Sequence, residues 1–499
     1  MMSLMRYWFS APLVTTSPLH SSGIDETVDR LPDPDEDRAP VARRFSRTVD
    51  GAPSLSGRSL KGALRSAMNR YFPEKTEYYK PLWGSLDAAS LLTFHPVVLT
   101  DVCTGYDLPT RSGIAVDRYW GTAGHGALFQ HEVVPAGVPL LVEISARVPV
   151  PDAADTILPP GFVEEFFADL SSLFEAGLVA VGGRRSAGWG RVRLEDGARV
   201  SCRRADLRSR TGLLAFRRGG DEVILSPVTP PSVSELITVG IAWRSPTGIL
   251  VADGLSHDEE TSDGREITRA LRAAGSDSAF VIPGSSIRGA LRSRCSRIAR
   301  TILAEELLVD DWSDLDVHEQ LRNDPLLVRR LFGDADVKGA VSALDTLAAD
   351  HSLRLQTHNA GDRFTGGVVD GFLFTEEVPD GTWSDIRLEI DTALLSRLDS
   401  DEQDPDFARA ALCLLGLALA ELASGALPLG SRTTRGLGEI RVEALQVDGP
   451  EEFIGEPWRI SGEGAPRATA EAVLAQLRRI NDHLPPGGWS RYLQEGTVR

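Results

Sequence analysis

Residues 57–66 read Gly-Arg-Ser-Leu-Lys-Gly-Ala-Leu-Arg-Ser, and residues 284–293 read Gly-Ser-Ser-Ile-Arg-Gly-Ala-Leu-Arg-Ser. In both stretches the apolar residues recur at the spacing of an amphipathic helix, whose start is framed by glycine. Two basic positions repeat there, Lys61 and Arg65 in the first copy and Arg288 and Arg292 in the second. Three further landmarks repeat in the same order: a short Leu-Trp-Gly or Leu-Phe-Gly turn, a hairpin-like stretch and a glycine-rich loop. Four collinear matches indicate an internal duplication, so two related modules are predicted.

The same pattern predicts the order of elements within each module. A strand opens each copy (Met5 to Val14; Ser234 to Trp243), the basic helix follows, and a second helix comes later (Phe162 to Ala176; Phe407 to Ala423). Strand, helix, strands, helix, strand is a ferredoxin-like α+β order. The Pro-rich run from Ser226 to Pro231 marks the linker. The predicted domains are residues 1–225, residues 232–447 and a C-terminal tail, residues 448–499, with one helix.

Composition limits the classes of function. The 499 residues carry a formal charge of −18, which argues against indiscriminate nucleic-acid binding, since that affinity comes from neutralising phosphates. Much of the acid is concentrated in runs such as residues 25–37, whereas the repeated motifs are basic, which favours selective binding. The four cysteines are far apart and predict reduced thiols rather than disulfides or a zinc finger. No apolar run is long enough to span a membrane and no signal peptide is recognised, so a cytoplasmic protein without membrane contact is expected.

The duplicated basic residues are the candidate nucleic-acid contacts. Paired cations at a helix start lie where free backbone N–H groups also favour an anion, and glycines in the later loop let a sugar-phosphate chain approach closely. Arginine beside an aromatic residue in the hairpins suits stacking against exposed bases, although an ordinary hairpin is an equally good explanation. The predicted RNA-binding residues are Ser59, Lys61, Arg65, Arg118, Arg184, Arg185, Ser286, Arg288, Arg292, Arg363, Phe364, Arg432 and Arg435.

Catalytic candidates are fewer. Asp37 and Asp263 hold equivalent places in the polar loops that precede the two duplicated helices, so they are the best pair of candidate catalytic carboxylates. Such an aspartate could bind a divalent metal ion or orient a 2′-hydroxyl, but from the residues alone a solvated acidic loop is the better explanation of each. Histidines are not duplicated; His20 could act as a base, and a structural imidazole is the simpler interpretation.

These motifs together resemble the RAMP superfamily of CRISPR-associated proteins, above all the backbone subunit of type III effectors. The resemblance covers Ser234 to Val447 well and Met5 to about Glu195 with Gly-Arg-Ser in place of Gly-Ser-Ser at its helix start. It implies a modified ferredoxin-like (RRM-like) fold whose modules line up along a guide RNA, with thumb hairpins that interrupt the guide–target duplex. In the family a loop aspartate cleaves target RNA with a divalent metal ion, expected to be Mg²⁺. Asp37 and Asp263 are the matching positions, with Asp25, Asp29 and Asp258 as substitutes.

The leading hypothesis is therefore a guide-RNA-bound backbone subunit that cleaves complementary target RNA with its loop aspartates. Its expected partners are guide RNA, target RNA and other effector subunits, including a large polymerase-like one. The first alternative is a purely structural backbone subunit, and the second is a guide-processing RNase that uses His20.

Overall fold

The computed structural model describes residues 3–23, 41–99, 108–150, 158–229, 235–254, 266–276, 278–305, 312, 314–334, 336–397, 404–462 and 465–494. Within them the chain forms two α+β modules of related topology, each built on an antiparallel sheet with helices packed against it. The predicted fold class and the duplication are thereby confirmed.

The first module is organised around its opening strand. Its strands are β1 (Ser3–Thr15), β2 (Val41–Arg43), β3 (Ser54–Leu55), β4 (Leu92–Phe94), β5 (Val97–Val98), β6 (Thr110–Val116), β7 (Ala123–Glu132), β8 (Pro139–Val150), β9 (Val179–Ala180), β10 (Arg191–Leu194), β11 (Ser201–Asp206) and β12 (Asp221–Glu222). Its helices are α1 (Gly57–Tyr71), α2 (Lys80–Trp83), α3 (Phe162–Glu175) and α4 (Arg210–Arg217), with 3-10 turns at Pro73–Lys75 and Arg185–Ala187. β1 pairs antiparallel with β8 on one side and with β10 and β11 on the other.

The second module repeats this plan. Its strands are β13 (Leu236–Arg244), β14 (Glu266–Thr268), β15 (Val281–Ile282), β16 (Val341–Ala343), β17 (Thr346–Gly361), β18 (Val368–Trp383), β19 (Ile386–Asp391), β20 (Arg441–Asp448) and β21 (Trp458–Ser461). Its helices are α5 (Gly284–Glu305), α6 (Val317–Arg322), α7 (Leu326–Phe332), α8 (Thr392–Ser396), α9 (Pro405–Ala423), α10 (Glu451–Ile454), α11 (Pro466–Asp482) and α12 (Arg491–Gln494), with 3-10 turns at Thr433–Arg435 and Gly488–Ser490. β13 lies between β19 and β20 as β1 lies between its neighbours.

Close packing against the sheet requires glycine at the start of each basic helix. A Cβ at Gly57 would overlap the carbonyl of Phe94, and a Cβ at Gly284 would overlap the carbonyl of Ala343. Ser56 accepts a hydrogen bond from the Ser59 N–H (3.2 Å) and so caps α1. Each helix can therefore lie directly on its sheet, and its apolar stripe joins the core of its module.

The tail differs from the expected single helix. β21 pairs with β20 and extends the sheet of module two, α10 precedes it, and α11 packs against α9. The packing is close, since a Cβ at Gly416 of α9 would overlap the side chain of Leu477. The short α10 and β21 carry too little periodicity to be predicted, and the Gly- and Pro-rich composition around them resembles a linker.

A long antiparallel hairpin, here called the thumb, leaves each sheet. β6 and β7 form the first thumb, and the longer β17 and β18 form the second. Short strands return from the polar loops and run parallel to the thumbs: β2 beside β7, and β14 beside β18. The ends of both polar loops are thus fixed at the thumb bases.

Ion pairs connect the two modules directly. The Arg111 guanidinium lies 2.6 Å from the Asp345 carboxylate, Arg70 lies 3.1 Å from Asp391, and Arg191 pairs with Glu389. Asp345 also accepts a hydrogen bond from the Gly284 N–H at the start of α5 (2.8 Å). The start of the second basic helix therefore lies at the module junction.

The structure describes the surroundings of three cysteines and the apolar character of the helices. Among the described cysteines, Cys202, Cys295 and Cys413 are buried free thiols, while Cys103 lies outside the described residues. In the portion of the chain that the structure describes, none of the helices has the length and apolar character to span a bilayer.

Candidate nucleic-acid interface

The basic pair at the start of α1 is partly exposed. Lys61 and Arg65 have no carboxylate partner among the described residues, and partial burial together with the Arg65 charge lowers the pKa of Lys61. Ser59 is exposed beside them, with its hydroxyl 2.9 Å from that of Ser56. This end of module one therefore offers two cations and a helix N-terminus to an anion.

The corresponding pair in module two is used inside the fold. The Arg288 guanidinium donates to the Val341 carbonyl (3.0 Å) and to the Phe332 carbonyl, and burial, then repulsion from Arg292, lowers its pKa to about 10. Arg292 is 9 % exposed and donates twice to one oxygen of Asp324 (2.9 and 2.7 Å). In this copy the guanidiniums satisfy buried carbonyls and a buried carboxylate. Contact with RNA phosphates stays a prediction for both pairs.

A basic cleft of about 410 Å³ lies at the module junction next to this second pair. Ser186, from the glycine-rich loop of module one, lines it together with residues of module two, namely Arg288, Arg292, His318, Arg322, Asp334 and Lys338. Burial, and then the charge of Arg185, lower the pKa of Lys338. The side chains of Ser286 and Arg185 are exposed at the surface.

The first thumb ends in a turn that is docked on module two. Arg118 donates to both carboxylate oxygens of Asp324 (2.6 and 2.7 Å), and its backbone N–H donates to the Gln320 side-chain carbonyl (2.9 Å). Tyr119 and Trp120 remain 53 % and 66 % exposed. The predicted RNA contact of Arg118 is untested, and in the folded chain this arginine joins the two modules.

The second thumb ends in an unattached copy of that turn. Arg363 is exposed and has no ion-pair partner among the described residues, and Phe364 is 97 % exposed. Asp362 accepts from the Phe364 N–H (2.8 Å), as Asp117 accepts from the N–H groups of the docked turn, so the aspartates shape the turns rather than pairing with the adjacent arginines. The predicted location of both Asp-Arg motifs at hairpin tips is confirmed.

The glycine-rich loops place one arginine each in the same unusual conformation. Arg184 (φ 54°) and Arg432 (φ 60°) are the non-glycine residues of the described chain with positive φ. Arg184 lies 4.4 Å from the centre of the Phe129 ring and donates to His131 (3.1 Å). Burial, then the charge of Arg43, lowers the pKa of Arg184 to about 10.

In module two a carboxylate takes the place of that histidine. The Arg432 guanidinium lies 2.5 Å from Glu376, and Arg435 lies 3.7 Å from the same carboxylate and 5.2 Å from the centre of the Phe374 ring. Glu376 is fully buried. Both loops therefore hold an arginine near an aromatic ring at the thumb base, but a histidine accepts from the arginine in module one and a carboxylate pairs with it in module two.

The polar loops that carry the catalytic candidates are anchored at these same bases. Glu132 accepts from the Phe45 N–H (2.8 Å), and Glu377 accepts from the Ala270 N–H (3.1 Å), so each carboxylate holds the segment that returns from the loop. The five candidate aspartates, Asp25, Asp29, Asp37, Asp258 and Asp263, lie outside the described residues. Among the residues that are described, no cluster of three His, Cys, Asp or Glu side chains could hold a metal ion. Metal binding therefore remains a prediction attached to the loop aspartates.

His20 is a structural residue in this setting. Its ring nitrogens lie 2.8 Å from the Glu132 carbonyl and 3.0 Å from the Ser22 hydroxyl, the side chain is 1 % exposed, and burial lowers its pKa. The residue at the equivalent place in module two is Leu250, which forms the matching bridge to its glycine-rich loop. A buried imidazole with both nitrogens engaged is poorly placed to act as a general base on RNA.

Two residues that join the modules were not predicted from the sequence, Gln320 and Asp324. Gln320 and Asp324 lie in the connection between α5 and α7, which is outside the repeated motifs. The capping box of α6, formed by Asp316 and Glu319, predicts a helix there, but it gives no signal for the docked arginine.

Comparison with known proteins gives one family and one structural example. A family model described as the RAMP superfamily matches residues 13–193 and 246–441. No curated protein sequence matches the chain. Among solved structures, a chain titled "Type III-B Cmr-beta Cryo-EM structure of the Apo state" is similar with a TM-score of 0.25 and 13 % identity, over 38 % of this chain and 96 % of that chain. The two regions matched by the family model correspond to the two modules.

Proposed function

The chain belongs to the RAMP superfamily, and from this premise we propose that it is a guide-RNA-binding backbone subunit of a type III CRISPR effector complex. The observation that carries the proposal is the repeated arrangement at the two thumb bases. In each module an arginine of the glycine-rich loop, an aromatic ring of the thumb and the strand returning from the polar loop meet at one place. Two such places in one chain suit two successive segments of one RNA.

The exposed cations and aromatic residues support this function. Lys61, Arg65 and Arg185 present charge on module one without described carboxylate partners, which suits phosphates on an otherwise acidic protein. Tyr119, Trp120 and Phe364 are exposed at the thumb tips and suit stacking on bases. The thumbs would separate consecutive segments of the guide–target duplex.

The finer proposal is that the loops also cleave complementary target RNA. Asp37 and Asp263 would act beside the thumb bases, where the returning strands β2 and β14 are fixed. A divalent ion, Mg²⁺ by expectation, would supply charge stabilisation at the cleaved phosphate; the described residues contain no complete set of ligands for it. A purely structural backbone subunit is the alternative if the loops do not cut. Other effector subunits, including a large polymerase-like one, are the proposed partners.

Analysis of co-purifying RNA tests the function directly. The full-length chain, expressed in its native cells and purified, should carry short RNAs of uniform length that share a repeat-derived end. A variant with Lys61→Glu, Arg65→Glu and Arg185→Glu should lose most of this RNA, whereas the control Arg467→Glu, at an exposed arginine of α11, should retain it. Recovery of no RNA, or of bulk cellular RNA without a common end, would contradict the proposal.

A further inference from the structure

The opening strand of module one has a helix on each of its two faces. Side chains alternate along β1: Phe9 stacks on Phe167 of α3, with ring centres 4.6 Å apart, whereas the Trp8 ring lies 5.6 Å from that of Phe216 of α4. α4 therefore lies on the side of the sheet opposite to α3. In module two the helix at the corresponding place, α10 between β20 and β21, packs against α9 instead. The first match to the family model ends at residue 193, so α4 lies outside both matched regions.

The helix α4 presents an apolar side to solvent. It rests on the sheet through Gly212 and Ala215, which are buried, and a Cβ at Gly212 would overlap the Asp206 carbonyl. Leu213 and Leu214, by contrast, are 50 % and 48 % exposed. The positions that face away from the sheet follow the helical spacing i, i+3, i+4 and i+7, and they are Arg210, Leu213, Leu214 and Arg217.

Arginines without ion-pair partners surround these leucines. Between positions 199 and 218 the sequence has seven arginines and one acidic residue, although the whole chain has a formal charge of −18. Arg6 and Arg147 lie directly opposite each other on β1 and β8, an arrangement of like charges that costs stability. Burial, and then the charge of Arg147, lower the pKa of Arg6. The arginines of this area that form no ion pair among the described residues include Arg6, Arg147, Arg203, Arg210 and Arg217.

These five arginines, together with Leu213, Leu214 and Phe216, are called the α4 surface. Its neighbouring strand β12 carries the exposed acidic residues Asp221 and Glu222, but in the described chain neither lies within ion-pair distance of an arginine of the surface. Apolar side chains flanked by uncompensated positive charge are complementary to an apolar, acidic partner.

The apolar residues of the α4 surface favour a protein over RNA or lipid. RNA bases stack on exposed aromatic rings. The Phe216 ring, however, already contacts Trp8 and lies 5.9 Å from the Arg6 guanidinium, and the residues that remain outward are leucines, which suit aliphatic side chains. An anionic membrane would repel a protein with a formal charge of −18, and two leucines bury little apolar area in it.

We propose that the α4 surface binds an acidic amphipathic helix of a different protein, whose apolar side chains cover Leu213 and Leu214 and whose carboxylates pair with Arg210 and Arg217. Two helical turns, roughly 10 Å, separate the two arginines along α4. The bound helix should therefore carry Asp or Glu residues about seven positions apart with apolar residues between them. Each guanidinium can donate to both oxygens of a carboxylate. Because the surface lies on the opposite side of the sheet from α3, the bound helix would not compete with RNA at Lys61 and Arg65 of α1, which packs with α3.

Site-specific photocrosslinking of the full-length chain in its native cells tests the proposal. Leu213 is replaced by p-benzoylphenylalanine in one variant. Leu86, an exposed leucine of module one outside the α4 surface, is replaced in the matched control. The peptide crosslinked to position 213 should belong to a different protein and should carry two acidic residues about seven positions apart around apolar ones. Position 86 should not crosslink to that peptide.

Charge reversal shows whether the arginines hold this peptide. Adding Arg210→Glu and Arg217→Glu should lower the crosslinking yield at position 213 at least about tenfold, because like charges that face each other across an interface repel. Arg467→Glu with Arg478→Glu, at exposed positions of α11, changes the net charge by the same amount and should leave the yield unchanged. Replacing the two acidic residues of the partner helix with arginine should restore crosslinking to the charge-reversed variant.

Crosslinks to RNA, to lipid or to a second copy of this chain would overturn the proposal, as would a crosslinked peptide that is not acidic, a yield that charge reversal does not change, or no crosslink at all. Flotation with vesicles that contain phosphatidylserine is a second check, since wild-type binding that is lost with Arg210→Glu and Arg217→Glu would assign the surface to lipid. The charge-reversed variant should keep its repeat-derived RNA, and loss of that RNA would assign the surface to RNA. If the RNA is present and the crosslink is absent, the proposed function stands and the α4 surface fails.

Discussion

The two modules share a fold but use their duplicated residues in complementary ways. In module one the thumb is docked, and the basic pair Lys61 and Arg65 has no carboxylate partner among the described residues. In module two the basic pair is engaged in the interior, and the thumb tip has no ion-pair partner within the part of the chain that the structure describes. Arg118 of the docked thumb and Arg292 of the engaged pair meet at the same carboxylate, Asp324. Duplication therefore preserved the residues while the junction between the copies changed what they contact.

The largest expected effect is the loss of target-RNA cleavage when the loop aspartates are replaced. If both loops are active, target RNA should be cut at two sites, Asp37→Ala and Asp263→Ala should each abolish one, and the double variant should cut neither. Loss at each site should be at least about 100-fold, since a carboxylate that positions a metal ion or the attacking hydroxyl contributes orders of magnitude in rate. The measurement is the cleavage pattern of a labelled target by the assembled complex.

RNA binding should persist in these variants, which serves as the control. Undiminished cutting at both sites by the double variant would transfer the role to Asp25, Asp29 or Asp258. A wild-type complex that does not cut would favour the structural backbone subunit. Cutting at one site would mean that one module is catalytic and the other is not.

Removal of Asp324 should give the largest loss of stability. Asp324→Ala leaves Arg118 and Arg292 largely buried without a carboxylate, and breaking a buried ion pair in this way costs about 3–5 kcal/mol. Denaturant unfolding of the full-length chain measures the change in free energy. Arg65→Ala is the matched control in module one and should cost less than about 0.5 kcal/mol, as surface substitutions do. A loss below about 1 kcal/mol for Asp324→Ala would contradict the assigned role of the contact.

Acid should destabilise module one through a buried histidine that has no histidine counterpart in module two. Burial, then repulsion from Arg184, His20 and Arg43, lowers the pKa of His131 to about 3, whereas Glu376 occupies this place in module two. The unfolded chain binds a proton at His131 near pH 6.5 and the folded chain does not, so stability present above pH 6.5 is lost as the pH falls towards 3. Between pH 7 and pH 5 this loss is on the order of 2 kcal/mol.

The variant His131→Gln measures that contribution, because glutamine can still accept the Arg184 hydrogen bond but does not titrate. Its free energy of unfolding should fall less between pH 7 and pH 5 than that of the wild type. Equal pH dependence in wild type and His131→Gln would show that protonation of this histidine does not contribute to the loss of stability in acid.

The smallest expected effect is on the salt dependence of RNA binding. Lys61→Ala with Arg65→Ala should lower the slope of log affinity against log salt by about one to two units, since each phosphate contact contributes somewhat less than one. Arg288→Ala with Arg292→Ala should mainly reduce stability, because these side chains bond within the fold. Equal changes in slope for both pairs would mean that RNA reaches the second pair as well, as the sequence pattern predicts.

The repeat was sufficient to predict the modules, because periodicity and glycine position are local signals. The opening strands, the basic helices and the thumb tips all lie where the pattern puts them. The different surroundings of Arg65 and Arg292 could not be predicted, since they depend on Asp324, which lies in a connection that module one lacks. The surroundings of Arg118 depend on Asp324 and on Gln320, both more than two hundred positions away along the chain.

Arg184 and Arg432 each hold a backbone conformation that an arginine adopts at a cost. A left-handed backbone costs an L-residue about 1–2 kcal/mol, and glycine adopts it freely. Each loop therefore stores a small amount of backbone strain that the contacts of its guanidinium must offset in the folded chain.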